Sequence, residues 1–141
     1  MELNEALTFV RARQQGVLTT IRANGRPQLS NILYLARDDG STTISVTKDR
    51  AKTINLRRDP RASLYVLGDT FWQYVVLEAI AELSPVALDP HDDTTDRLVE
   101  YYRVAVGEHP DWDEYRASMV RDGRLLITLR PERAYGIAGR D

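Results

Sequence analysis

A mostly antiparallel β-barrel carrying inserted helices is predicted by three features of this 141-residue sequence. Six or seven short segments have strand pattern, they lie close together, and the helical segments interrupt them without alternating with them. A doubly wound parallel sheet needs a β-α-β rhythm, and none is present. No repeat, linker or low-complexity stretch divides the chain, so residues 1–141 are expected to form a single domain.

Asn4 is expected to cap a short helix ending at Arg13, with Ala6, Leu7, Phe9 and Val10 as its apolar positions. Residues 17–22 and 28–36 are rich in β-branched and apolar side chains and flank Asn24-Gly25, which suits a tight turn. They read as a hairpin. After the turn signal Asp38-Asp39-Gly40, residues 42–47 alternate Thr43, Ser45 and Thr47 with Thr42, Ile44 and Val46, a third strand. Residues 51–58 form a short basic helix with Asp49 available as its N-cap and Asp59-Pro60 as its stop.

Residues 62–67 and 74–83 read as two more strands around Gly68-Asp69-Thr70. The second places Val75, Leu77, Ala79, Ala81 and Leu83 on one side, and Tyr74, Val76, Glu78, Ile80 and Glu82 on the other. In residues 92–106 the period changes, with Leu98, Tyr101, Tyr102 and Ala105 on one helical face; Trp112, Tyr115 and Met119 continue that spacing through 111–121. A strand over 125–129 is interrupted at Pro131, and a last one closes the chain at 134–137.

Composition excludes several function classes. Without cysteine there is no disulfide framework and no thiolate metal cluster. His91 and His109 are the only histidines, both beside proline, and the sequence has none of the G-x-S-x-G, H-E-x-x-H, P-loop or G-x-G-x-x-G patterns. No metal site is expected. No apolar run approaches the roughly 20 residues that span a bilayer, and the N-terminal residues lack signal-peptide character, so no membrane span and a cytoplasmic location are expected.

Charge is nearly balanced overall and unevenly spread. Residues 48–61 hold six bases (Lys48, Arg50, Lys52, Arg57, Arg58, Arg61) against two acids, whereas residues 89–122 hold ten acids against four bases. One face should therefore attract anions. The basic run is too short, and the balance too acidic, for a nucleic-acid partner to be expected. At the start of the basic helix, unpaired backbone N–H groups and the positive end of the helix dipole favour a phosphate or carboxylate beside Arg50, Ala51 and Lys52. Gln28, Ser30 and Asn31 on the preceding hairpin can fix the polar edge of a flat heterocycle, and Trp72 and Tyr74 can stack on it.

Together these residues resemble the split β-barrel flavin-binding superfamily that includes pyridoxamine 5'-phosphate oxidase, and more closely its deazaflavin (coenzyme F-420)-dependent reductases of group B. The most specific pieces are Asn24-Gly25-Arg26-Pro27-Gln28-Leu29-Ser30-Asn31, the run Arg50-Ala51-Lys52-Thr53-Ile54-Asn55-Leu56-Arg57-Arg58-Asp59-Pro60-Arg61-Ala62-Ser63, and Gly107-Glu108-His109-Pro110-Asp111-Trp112. The resemblance implies a homodimer of six-stranded split barrels with peripheral helices and two cofactor sites at the subunit interface. It implies that the cofactor phosphate and acidic tail meet Arg50, Ala51 and Lys52, with Asn55 close by. It places the ring edge against Gln28, Ser30 and Asn31 and against Ser45, Val46 and Thr47, with Trp72 and Tyr74 bordering the site, from the other subunit.

The implied activity is hydride transfer from the reduced deazaflavin to an unsaturated or quinone-like small molecule, with the final proton coming from solvent or from Tyr74. Two alternatives stand beside it: an FMN-dependent enzyme like pyridoxamine 5'-phosphate oxidase, and a non-catalytic carrier of a deazaflavin or a tetrapyrrole. Surplus bases at Arg57, Arg58 and Arg61 favour the longer anion over FMN. A homodimer is also expected from the residues alone, because Tyr74, Val76 and Ile80 make an outer face too apolar for solvent.

Overall fold

A computed structural model describes residues 1–139 of the chain. Its centre is an antiparallel, curled sheet, a half-barrel in the order β2-β1-β5-β6-β7-β4-β3. The strands are β1 (Gln15–Ile21), β2 (Pro27–Leu33), β3 (Leu35–Ala36), β4 (Thr42–Thr47), β5 (Arg61–Leu67), β6 (Tyr74–Leu83) and β7 (Arg124–Ile137). Four helices accompany them: α1 (Leu3–Arg11), α2 (Ala51–Arg58), α3 (Asp93–Ala105) and α4 (Trp112–Arg121).

Seven strands replace the six expected because the segment read as one strand over 28–36 breaks at Tyr34, whose N–H turns to the Gln14 carbonyl while its phenol donates to the Val10 carbonyl. Conversely, the two C-terminal segments are one strand. Proline at position 131 is accommodated by a bulge, since Glu78 pairs with Arg133 and Ala79 with Pro131 while Glu132 is left over. The hairpin joining β1 to β2 closes at Arg22 and Arg26, with Gly25 at φ 84°, where a side chain would be strained.

Burial follows the alternation. Val75, Leu77, Ala79 and Ala81 of β6 join Leu18, Leu64, Val66, Leu125 and Ile127 in the main core, which α1 closes with Ala6, Phe9 and Val10. On β7 the stretch 125–129 is buried on both faces. Its outward Leu126 is covered by Leu98 and Val99 of α3 and Tyr115 and Met119 of α4, a second cluster.

Two helix starts differ from expectation. Asn4 lies inside α1, and Glu2 precedes that helix without a side-chain cap; α2 is preceded by Arg50, also without one, so Asp49 does not cap it. The caps of the other two helices are Asp92 and Asp111, whose carboxylates accept from the N–H groups of Thr95 and Glu114. Among the described residues no helix is long and apolar enough to cross a membrane.

Candidate functional site

The site begins with a strand edge that nothing pairs. Short β3 pairs only Thr42 and Thr43 of β4, leaving the edge of β4 beyond them open. Leu126 of β7 spends its N–H and C=O on Ser84, so its partner across the ladder, Ser45, turns its own N–H and C=O away from β7 and into the gap. Across that gap stands α3, held by a bidentate pair from Arg37 to Glu100 at 2.8 Å and by Gln14 Nε2 donating to the Ala105 carbonyl at 3.5 Å.

The gap is a cavity of about 390 Å³, lined by Gln14 and residues 31–34 on one side, Ile44, Ser45, Lys52 and Arg124 at its base, and Tyr101, Tyr102, Ala105 and Val106 of α3 opposite. Among the described residues no carboxylate lines it. Lys52 and Arg124 both face it, and burial, followed by the repulsion of Arg50 and Arg124, depresses the Lys52 ammonium. The Arg124 Nε is buried with no hydrogen-bond partner, and its Nη1 reaches the Ser45 carbonyl only at 3.5 Å. Arg124 sits there because Gly123, at φ 65°, ends α4 and lets β7 begin one residue later. On α3, burial raises the Tyr101 phenol, opposed by the nearby Ser45 backbone and by the charges of Arg37 and Arg124.

Of the residues singled out by sequence, Asn31, Ser45 and Lys52 line this cavity. Arg50 and Ala51 are exposed at the uncapped start of α2 next to it. The Ser30 hydroxyl is buried and unpartnered on β2. Val46 points into the core, and the Thr47 carbonyl accepts from the Thr53 hydroxyl. Gln28 is engaged near the hairpin end, accepting from Arg22 Nε at 2.9 Å. Asn55 is buried beneath α2, donating to the Thr20 hydroxyl and accepting from Arg58, so its polar atoms are spent on holding the helix to β1.

Trp72 and Tyr74 lie elsewhere. Trp72 is 68% exposed in the β5–β6 turn, edge-on to Phe71, and Tyr74 stacks on Tyr65 with ring centroids 5.6 Å apart. Within one chain neither lines the Lys52 cavity. Two of the surplus bases are also engaged: Arg61 pairs with Asp59 at 2.8 Å, and Arg58 donates to the Ile21 carbonyl at 2.6 Å.

Sequence reasoning missed Arg124, Gln14 and the roles of Tyr101 and Tyr102. The two tyrosines fell on the predicted apolar face of α3, but nothing in their spacing tells that this face overhangs a strand edge as well as the core. Arg124 carried no local signal.

Outside the cavity, part of the opposite surface of the sheet is apolar, next to a charged row in which Glu78 faces Arg133. Ladder register aligns Asn31, Val17, Tyr65, Val76 and Tyr135 in one row across β2, β1, β5, β6 and β7, and sets Leu67, Tyr74 and Ile137 in the next. Leu29, Leu33, Leu67 and Tyr135 are each about half exposed or more on this surface. A second cavity of about 510 Å³ opens here between Val17, Leu33, Tyr65 and Leu67, and it shares Asn31, Ile32 and Leu33 with the first.

Comparison with known proteins gives a match over residues 3–138 to the family model described as pyridoxamine 5'-phosphate oxidase. Among solved structures, the conserved hypothetical protein Rv2991 of Mycobacterium tuberculosis is 26% identical, with TM-score 0.69, covering 95% of this chain and 82% of that one. A structure named F420 Reductase is 20% identical, with TM-score 0.67, covering 91% and 94%. A heme binding protein from Mycobacterium smegmatis is 23% identical, with TM-score 0.69, covering 98% of this chain but 55% of its own length.

Proposed function

The chain belongs to the pyridoxamine 5'-phosphate oxidase family, and from that membership we propose that it is a coenzyme F-420-dependent reductase working as a homodimer. The carrying observation is the pair Lys52 and Arg124, two cations facing one cavity that no carboxylate lines among the described residues. Such a pair costs stability until an anion arrives, so the site is built for a ligand bearing a phosphate or carboxylate. A volume of about 390 Å³ is in the range of small-molecule and cofactor sites. The name of one structural neighbour, F420 Reductase, supports the same cofactor.

In this reading Lys52 and Arg124 hold the phosphate, assisted by the free N–H groups at the start of α2. The open edge of β4 at Ser45 and the Asn31 amide face the polar edge of the ring, while Tyr102, Ala105 and Val106 exclude water from the opposite side. The bound deazaflavin supplies the hydride for an unsaturated or quinone-like acceptor. The chain's own work is positioning, and no protein nucleophile is required.

FMN is the second reading, and a specific observation favours it. With Arg58 and Arg61 engaged inside the chain, the bases left for a long acidic tail are Lys48, Arg50 and Arg57, and one phosphate already satisfies Lys52 and Arg124. A tetrapyrrole carrier draws less support, because no histidine, cysteine or methionine lines the cavity; His109 instead packs among Tyr102, Trp112 and Tyr115.

The homodimer follows from the outer surface. A second copy laid on this surface would cover Leu33, Leu67 and Tyr135, and it would bring Trp72 and Tyr74 of one copy near the cavities of the other.

Titration with coenzyme F-420 and separately with FMN tests the cofactor. Trp112 is the reporter, since its ring lies 5.7 Å from that of Tyr102 on the cavity wall, and a Trp72→Phe background removes the exposed second tryptophan. Micromolar or tighter binding of the deazaflavin alone is expected. Preference for FMN moves the chain to the second reading, and binding of neither overturns both.

A further inference from the structure

Two cavities lie on either side of β2, the strand at one end of the sheet, and their linings are chemically opposite. The one at the β4 edge carries Lys52 and Arg124 and is taken by the cofactor in the reading above. The other, of about 510 Å³, is a trough along β1 on the outer surface of the sheet, with Gln15 and Val17 as its floor. Ladder register sets Leu33 opposite Gln15, and Asn31 and Tyr65 on either side of Val17, with Leu67 following Tyr65 on the same face of β5. Stacking on Tyr74 at 5.6 Å braces the Tyr65 ring, whereas Leu33 is 63% exposed and lines both cavities.

Among the described residues no charged side chain lines the trough. Charges beyond its ends are paired within the chain. At one end Ser63 pairs across the ladder with Glu78, which faces Arg133 at 3.9 Å; at the other, beyond Leu67, Arg13 holds Asp69 at 3.1 Å. An anion in the trough would give up its hydration with no cation to replace it, while a flat apolar ring gains by leaving water. The polar side chains of the lining, Gln15, Asn31 and Tyr65, are neutral and suit carbonyl oxygens. The volume is in the range of small-molecule sites.

From this arrangement we infer that the trough is the acceptor site and that it takes a neutral quinone, to the exclusion of acceptors bearing a phosphate or carboxylate. The inference rests on the hydride-transfer reading above and adds the place and the charge of the acceptor. Because residues 31–33 line both cavities, the acceptor lies next to the cofactor site across the free edge of one strand. The proposed second copy would roof the trough by covering Leu33 and Leu67. In turnover the quinone gains an electron pair and one hydrogen as hydride from the reduced cofactor and one proton from water. The cofactor releases its second proton to water, so the products are hydroquinone and oxidised cofactor.

The test is equilibrium dialysis of the whole protein, loaded with oxidised coenzyme F-420 or FMN so that no turnover occurs and the anion site is filled. It compares 1,4-naphthoquinone with 1,4-naphthoquinone-2-sulfonate, the same rings bearing a negative charge. The neutral quinone should bind at least about tenfold more tightly. Val17→Trp fills the floor and should weaken the neutral quinone by about tenfold or more, with cofactor affinity within about threefold. Leu33→Lys puts a cation on the rim and should reverse the preference. Equal affinity of the wild type for the two quinones overturns the inference, as does a Val17→Trp protein of unchanged mass that binds the neutral quinone as the wild type does. If Val17→Trp fails to fold or loses the wild-type mass in light scattering, Leu33→Lys decides: a sulfonate affinity still at the wild-type value overturns the inference. If the wild type binds neither cofactor, the hydride-transfer reading itself has failed, and dialysis of the cofactor-free protein and its two variants still judges the trough. If a cofactor binds and the neutral quinone does not, only the assignment of the trough has failed.

Discussion

The open edge of β4 and the outer surface of β1, β5, β6 and β7 are both incomplete in a single chain, for opposite reasons. At the edge, Lys52 and Arg124 face a cavity with no counter-charge among the described residues, and the backbone groups of Ser45 have no described strand beside them. On the outer surface the ladder lines up Val17, Tyr65, Val76 and Tyr135, with no charge to keep the row in water. One region suits an anion and the other suits apolar cover. The two meet at β2, where residues 31–33 line both cavities, so a ligand at the edge and the proposed second copy on the outer surface would share a wall.

The outer surface should give the larger response. Tyr135 is half exposed in the single chain, and Tyr135→Asp would place an unpaired carboxylate in each half of a two-fold interface. The expected cost is at least about 3 kcal/mol of dimer stability, more than a hundredfold in the dimer dissociation constant. Light scattering at micromolar concentration should show a dimer for the wild type and a monomer for the variant, with the thermal midpoint of the isolated fold little changed. A wild type that is already monomeric removes the proposed interface, together with any role for Trp72 and Tyr74 in a partner's site.

At the β4 edge, Lys52→Ala and Arg124→Ala should each weaken cofactor binding by about 2 kcal/mol, roughly thirtyfold, the worth of a hydrogen bond to a charged group. Stability should move the other way. The Lys52 ammonium is depressed by burial and by neighbouring cations, so below its unfolded pKa the folded state holds that proton less readily than the unfolded chain does. Lys52→Met is therefore expected to unfold no earlier than the wild type without ligand and to lose the stabilisation that ligand confers. A variant that is less stable without ligand and unchanged in affinity would make Lys52 a structural residue.

How much of this was legible differs between the two regions in an instructive way. The outer face of β6 could be read from alternation, because a strand of period two shows its second face directly in the sequence: Tyr74, Val76 and Ile80 fall on one side, though Val76 is covered within the single chain. The cavity was legible only where its residues are close in sequence, from Asn31 through Ser45 to Lys52. Arg124 reaches it through the β4–β7 ladder from some 70 residues away, and Tyr101 does so through the tilt of α3, which Arg37 and Glu100 fix. Pattern within a segment does not encode either distance. The setting of Asn55 was hidden for a related reason, since only the packing of α2 on β1 reveals that the Thr20 hydroxyl and Arg58 already engage its amide.

That reassignment of Asn55 sharpens the contrast between binding and holding. Asn55→Ala should cost about 1–2 kcal/mol of stability by leaving the buried Thr20 hydroxyl and one Arg58 donor unpaired. Cofactor affinity should remain within a few-fold of the wild type, unlike Lys52→Ala. Denaturant unfolding and the Trp112 titration read the two quantities separately. A large loss of affinity at unchanged stability would return Asn55 to the binding site.

The smallest effect is expected at the far end of the cavity wall, where Asp92 caps α3, the helix that carries Tyr101 and Tyr102. Burial pushes its carboxyl up, but bonds from the N–H groups of Leu88, Thr95 and Asp89 outweigh it and hold the group at about 2. A carboxyl depressed in the folded state stabilises the fold above its unfolded pKa near 3.8, and that contribution is lost as pH falls through about 2. Asp92→Ala should therefore cost about 1 kcal/mol near neutral pH, the usual worth of an N-cap, with a smaller cost in acid. Asn at this position still accepts from Thr95 without carrying charge, so Asp92→Asn should keep most of the neutral-pH stability and flatten its decline between pH 4 and pH 2. Because the cap acts on the wall and not on the cations, the affinity of either variant for the cofactor should follow the fraction of folded protein and nothing more. A separate loss of affinity in Asp92→Asn would mean that the start of α3 sets the position of Tyr101 over Ser45, and the division between the binding edge and its supporting wall would have to be redrawn.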